Sequence, residues 1–223
     1  MVSQTQTDQQ ATSVEPSTVE SLLEAATQVF METGFAGARV DQIARQAQVN
    51  KAMIYYHFRS KRGLYQAVLG RLFHGVLDEI ARIARDEPDP QRRLIMFYAG
   101  MARLFGERRA LPHIMLQEVL SGGESLDSEG LRVLTGIVVF VRDAIEKGVR
   151  EGSVRDVNPL VVHLSALAPL VLFFVSQELR DRLLPATGLA VTMPKPEELL
   201  DYLALLIERG LEPEAGGSGR RAT

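Results

Sequence analysis

The chain has 223 residues, 46% hydrophobic and 24% charged, with no Cys and no Trp. So large an apolar share excludes a disordered chain, and the missing Cys excludes disulfides, thiolate metal sites, iron–sulfur clusters and Cys nucleophiles together. A formal charge of -3 taken alone argues against a nucleic-acid partner, but that sum averages two unlike parts of the chain.

Residues 1–16 lack both a basic start and an apolar core, so they do not read as a signal peptide. Their Gln, Thr and Ser content predicts a flexible arm, and residues 213–223 predict an equally unstructured tail. Between these ends nearly every segment repeats at helical spacing. The first helix opens on Ser17-Thr18-Val19-Glu20, which has the form of a capping box. Leu22, Leu23, Ala26, Val29 and Phe30 follow as its apolar stripe, and Gly34 is placed to end it in a left-handed conformation. Two short helices over 40–47 and 50–58 come next. A longer helix over 60–85 carries Leu64, Val68, Leu72, Val76, Ile80 and Ile83 along one side. It should stop before the breaker cluster Asp86-Glu87-Pro88-Asp89-Pro90.

Further helices are predicted over 91–105, 110–120, 128–151, 159–183 and 196–209. The last has Pro196 at its first position, Glu197 and Glu198 in its first turn and Gly210 beyond its end. No segment alternates at period two for long, so the fold is predicted all-α. The most membrane-like stretch, 160–175, is 16 residues long and contains His163, Ser165 and Pro169. A bilayer span needs about 20 mostly apolar residues, so this stretch reads as a buried helix and no membrane partner is expected.

Residues 39–71 carry Arg39, Arg45, Lys51, Arg59, Lys61, Arg62 and Arg71 against the single acid Asp41. That balance of +6 leaves -9 for the other 190 residues. Such asymmetry marks a nucleic-acid face joined to an acidic body. The short helices fit a helix-turn-helix unit: Ala44 and Ala47 are small enough for close contact, and Ile43, Val49 and Ile54 can lock the crossing. Asn50 can cap the second helix. From there the chain reads N-K-A-M-I-Y-Y-H-F-R-S-K, with Met53, Ile54 and Phe58 facing inward. Lys51, Ala52, Tyr55, Tyr56 and His57 are left for the outer face. Ala52 allows close approach to DNA, the hydroxyls and His57 can reach phosphate oxygens, and Lys61 adds charge where the next helix begins.

This text, with A-A-T-Q-V-F-M-E-T-G-F before it and V-D-Q-I-A-R-Q-A-Q-V-N-K-A-M-I-Y-Y-H-F-R-S-K-R-G-L-Y within it, resembles the TetR family of transcriptional regulators over about residues 18–70. The resemblance implies an N-terminal three-helix DNA-binding domain (17–62) and a larger helical domain (63–212) for effector binding and dimerisation. It implies a homodimer on an inverted-repeat operator in double-stranded DNA, with contacts at Asn50, Lys51, Ala52, Tyr55, Tyr56, His57 and Lys61. Two positions depart from the family pattern. Gln48 stands where Gly is usual, and a left-handed conformation there costs about 1 kcal/mol. Arg39 stands where a hydroxyl residue is usual; it loses a cap and offers a phosphate or groove contact.

In the body, Met and Phe residues suit an adaptable small-molecule pocket. Phe97, Met101, His113, Phe140, His163 and Phe173 are the candidate ligand contacts, for a small apolar or amphipathic effector. Neither His113 nor His163 has a second His or a carboxylate at i+3 or i+4, so neither a metal nor a cofactor is expected. No G-x-S-x-G, G-x-G-x-x-G, P-loop or H-E-x-x-H occurs, which argues against an enzyme. The expectation is a cytoplasmic, ligand-responsive repressor; an activator, or a DNA-binding protein without an effector, is the alternative.

Overall fold

The structure, a computed structural model, describes residues 17–188 and 192–213. The predicted arm over 1–16, and the predicted tail beyond Pro213, lie outside the described residues. Among the described residues all regular structure is helical. In chain order the helices are α1 (Thr18–Gly37), α2 (Val40–Gln46), α3 (Ala52–Phe58), α4 (Lys61–Phe73), α5 (Val76–Asp86), α6 (Pro90–Glu107), α7 (Ala110–Leu120), α8 (Ser128–Glu151), α9 (Pro159–Val175), α10 (Gln177–Thr187) and α11 (Pro196–Leu211).

Side-chain caps set most of the starts. Ser17 Oγ accepts from the Glu20 N–H at 3.2 Å, half of its box, while the Glu20 carboxylate pairs with Arg71 at 2.7 Å. Ser60, Asp89, Asp127 and Asn158 each accept a backbone N–H in the first turn of the helix that follows. Gly34 behaves differently from its prediction. It has φ 68 but ψ 175, a positive-φ conformation that favours Gly yet is not the left-handed helical one, so α1 kinks and takes one more turn to Gly37. Gly210 likewise lies inside α11 rather than past its end.

Two long predicted helices are each a pair. The 60–85 segment breaks after Phe73, where Gly75 takes φ 79, a left-handed conformation that Gly adopts without steric penalty. Arg108 secures the break: its Nη1 donates to the carbonyls of Leu72 (2.6 Å), His74 (3.2 Å) and Arg71 (3.3 Å). Those are the carbonyls that the end of α4 leaves without helical partners. The 159–183 segment bends by 73° between α9 and α10. Here Arg180 donates to the Phe173 carbonyl and to Ser176 Oγ, both at 2.5 Å, with its guanidinium 4.3 Å from the Phe173 ring centroid. Among the described residues no single helix is long and apolar enough to cross a membrane; α9 and α10 reach that length only together, across the bend.

The core runs continuously from Leu22 and Phe30 in α1, through Leu64, Tyr65 and Val68 in α4, to Leu94, Phe105, Val141 and Leu170 in the body. Central to this is α4, which packs on α1, α3 and α8. At its start Gly63 is essential. A Cβ there would lie 2.1 Å from the Phe58 carbonyl oxygen, so only Gly lets the end of α3 rest on the first turn of α4.

Candidate nucleic-acid interface and effector cavity

Ile43 and Ala44 of α2 and Ile54 of α3 are all buried in the common core. Between them the Val49 N–H donates to the Ala44 carbonyl at 3.0 Å, and Gln48 takes φ 56, the left-handed conformation expected of the turn. Asn50 Oδ1 accepts from the Ala52 N–H at 2.8 Å, which fixes the start of α3. Met53 and Phe58 pack inward against the core. Arg39, Asn50, Lys51, Ala52, Tyr55, Tyr56 and His57 are all exposed. Tyr56 is 79% accessible, so packing within the chain does not explain its aromatic ring.

Electrostatics around α3 are not uniform. Lys51 Nζ lies 2.8 Å from Asp41, the one acid of the basic segment. That hydrogen bond holds the Asp41 carboxyl below its ordinary pKa and the Lys51 ammonium above its own. Arg59, which sequence reasoning did not single out, ends α3 with φ 65 and is exposed. Its signal was the charge count alone.

Lys61 is placed otherwise than the other predicted contacts. Its ammonium donates to the carbonyls of Phe35 (2.7 Å), Ala38 (3.0 Å) and Ala36 (3.5 Å), and it stands 4.6 Å from the Phe35 ring centroid. All three of its donors are occupied at the C-terminal end of α1, where a cation is favoured.

A half-open cavity of about 460 Å³ lies in the body, with walls from α4, α6, α7, α8 and α9, and its rim residues Val119, Leu131, Leu160 and Leu164 are exposed. Of the predicted ligand contacts, Phe97, Met101 and His163 line it. The other three do not. Phe140 is a core residue packed against Phe97, ring centroids 5.2 Å apart. His113 Nδ1 donates to the Arg109 carbonyl at 2.9 Å along its own helix. Phe173 is held at the α9–α10 bend by Arg180. Apolar residues at helical spacing look alike in sequence whether they wall a cavity or fill a core.

Two polar side chains line the cavity: His163 and Glu118, which sequence reasoning missed. His163 Nδ1 is hydrogen-bonded to the Tyr98 hydroxyl at 3.1 Å, and burial lowers the His163 pKa. Glu118 is only 6% exposed. Its Oε1 accepts from the Tyr65 hydroxyl at 2.6 Å, while Oε2 is buried and accepts no hydrogen bond. Burial, and then the bond to Glu118, raise the Tyr65 pKa well above the tyrosine range.

Tyr65 also packs edge-on against Phe30, 4.7 Å between centroids, and lies 5.1 Å from Phe35. The neighbouring Gln117 Nε2 donates to the Met31 carbonyl of α1 at 2.9 Å. Adjacent residues of α7 therefore reach α1 and α4, the two helices that carry the helix-turn-helix. Among the described residues no group of three or more His, Asp or Glu could hold a metal ion.

Residues 22–68 match the profile of the bacterial regulatory proteins of the tetR family. The chain is 30% identical over 196 residues to the HTH-type transcriptional repressor NicS of Pseudomonas putida, covering 87% of this chain and 91% of that protein. It is 30% identical over 142 residues to the HTH-type transcriptional repressor DhaR of a Mycobacterium species, covering 63% and 72%. The fold superimposes on the transcriptional regulator FadR of Bacillus subtilis, solved with stearoyl-CoA, with a TM-score of 0.66 at 14% identity, over 86% of this chain and 98% of that one. These likenesses are to regulators and not to enzymes. With its all-helical architecture and N-terminal helix-turn-helix, the chain belongs to the TetR family of bacterial transcriptional regulators.

Proposed function

We propose that the protein is a homodimeric repressor that binds an inverted-repeat operator in double-stranded DNA and is released by a small molecule in the body. The observation that carries this reading is the position of α4. It packs against α3 at one end and places Phe73 in the cavity wall at the other. An occupant that presses on Phe73 tilts α4 and so moves the support of the recognition helix. Coupling of this kind is typically about 1–3 kcal/mol, enough for several-fold to hundred-fold release.

In this reading the DNA-binding unit spans 17–62 and the effector and dimerisation unit 63–212, and α4 begins where they join. Arg39, Asn50, Lys51, Ala52, Tyr55, Tyr56 and His57 meet the operator directly. Lys61 supports the face from behind, because its donors are occupied. Dimerisation is supported by α9 and α11, which pack together and leave Val161, Leu172, Tyr202, Leu205 and Leu206 exposed. Apolar surface of that extent on paired helices calls for a partner. Two copies related by a two-fold axis set the recognition helices about 34–36 Å apart, one per successive major groove. The acting compartment is the cytoplasm, where the DNA is.

Electrophoretic binding to the chain's own upstream region tests this reading. The expected result is a salt-dependent, sequence-preferring complex of two chains per site; a single chain per site, or indifference to sequence, overturns it. Sedimentation of Leu206→Glu should show a monomer that no longer retains the operator.

A further inference from the structure

The cavity is almost wholly apolar, and this makes its two polar side chains decisive. No Lys or Arg lines it. His163, with a pKa lowered by burial, brings no positive charge to the site at neutral pH. An anionic head would therefore meet the Glu118 carboxylate without a counter-charge, and in an apolar cavity like charges repel strongly. Glu118 itself is incomplete. One oxygen is held by the Tyr65 hydroxyl, and the other is buried with no donor although the side chain lines the cavity. A carboxylate accepts and cannot donate, so a ligand carrying a donor complements it.

We propose that the cavity takes small molecules with an apolar body and one protonated amine, and that the Glu118 carboxyl turns to receive the ammonium. The inference rests on the reading of this cavity as the effector site and adds the chemical class. A hydrocarbon body occupies the wall formed by Phe97, Met101, Met115 and Leu126, while a charge-assisted hydrogen bond fixes the head. Because Tyr65 is bonded to the same carboxyl, the amine acts on a group that already holds α4.

Calorimetric titration of the full chain with phenylbutylamine, phenylbutanol, phenylbutanoate and butylbenzene at neutral pH tests the assignment. The amine is expected to bind about tenfold or more tightly than the alcohol, with the acid weakest. In Glu118→Gln the amine should lose its advantage over the alcohol. Tyr65→Phe, which keeps the carboxyl, should retain the amine's advantage, so that failure of the first variant to fold leaves the assignment open to refutation by the second. Equal or better binding of the alcohol or acid to the unaltered chain overturns the proposal. If butylbenzene binds and the amine gains nothing over it, the amine assignment falls while the cavity stands as a ligand site. If no probe binds, including butylbenzene, both fall.

Discussion

The ammonium of Lys61 donates to the backbone carbonyl of Phe35 at 2.7 Å and stands 4.6 Å from the centroid of the same residue's ring. With the Ala36 and Ala38 carbonyls also bonded, this one side chain closes the end of α1 from the first residue of α4. Lys61→Met keeps the apolar stem and removes all three donors. Loss of hydrogen bonds to a charged group should cost about 1–3 kcal/mol, read as a lower melting temperature. The salt dependence of DNA binding should stay nearly unchanged. A slope flattened by about one would instead make Lys61 a direct phosphate contact.

Asp41 neutralises Lys51 at the start of α3. Asp41→Asn frees that ammonium for phosphate, so affinity should rise several-fold for all sequences. The plot of log affinity against log salt should steepen by about one. An unchanged slope would place Lys51 away from the DNA backbone.

Gly63 permits the contact between the end of α3 and the start of α4. In Gly63→Ala the added methyl meets a backbone oxygen at 2.1 Å, which no rotamer change relieves. Overpacking of this kind costs about 1–3 kcal/mol, and here the strain falls on the seat of the recognition helix. Operator binding should drop sharply while calorimetric binding of butylbenzene is kept. Equal loss of both would mean the damage is global.

His163 gives the body a pH dependence. Burial holds its folded-state pKa below the ordinary value of 6.5. The unfolded chain therefore takes up the proton first as pH falls. The stability contribution is complete above 6.5 and declines as pH drops through that value toward the lowered folded-state pKa. Between about pH 7.5 and about pH 5.5 the melting temperature should fall, and His163→Gln should fall less. An identical pH response in both proteins would assign the titration to other groups.

The helix-turn-helix was legible because each of its parts is local. Ala44, Ile43 and Ile54 declare a tight crossing, Asn50 declares a cap, and the basic residues declare a face. The breaks at Gly75 and Ser176 were hidden because the apolar spacing runs through them: Leu72 and Val76, on either side of the first, are both buried. What turns the chain there is capping by Arg108 and Arg180, one distant in sequence and the other on the following helix. Glu118 was illegible for a related reason. A Glu on a helix ordinarily marks a solvent face, and only the approach of Tyr65, 53 residues earlier, makes it a buried group.

In the proposed reading, the break at Gly75 lets α4 act as a short lever with its own bearing. Arg108 grips its last carbonyls and leaves it separate from α5. Thirteen residues of helix span about 20 Å. A tilt of about 3° around that bearing carries the Lys61 end by roughly 1 Å over such a length. In a two-fold pair both levers swing together, and the gap between their far ends changes by twice the stroke of one.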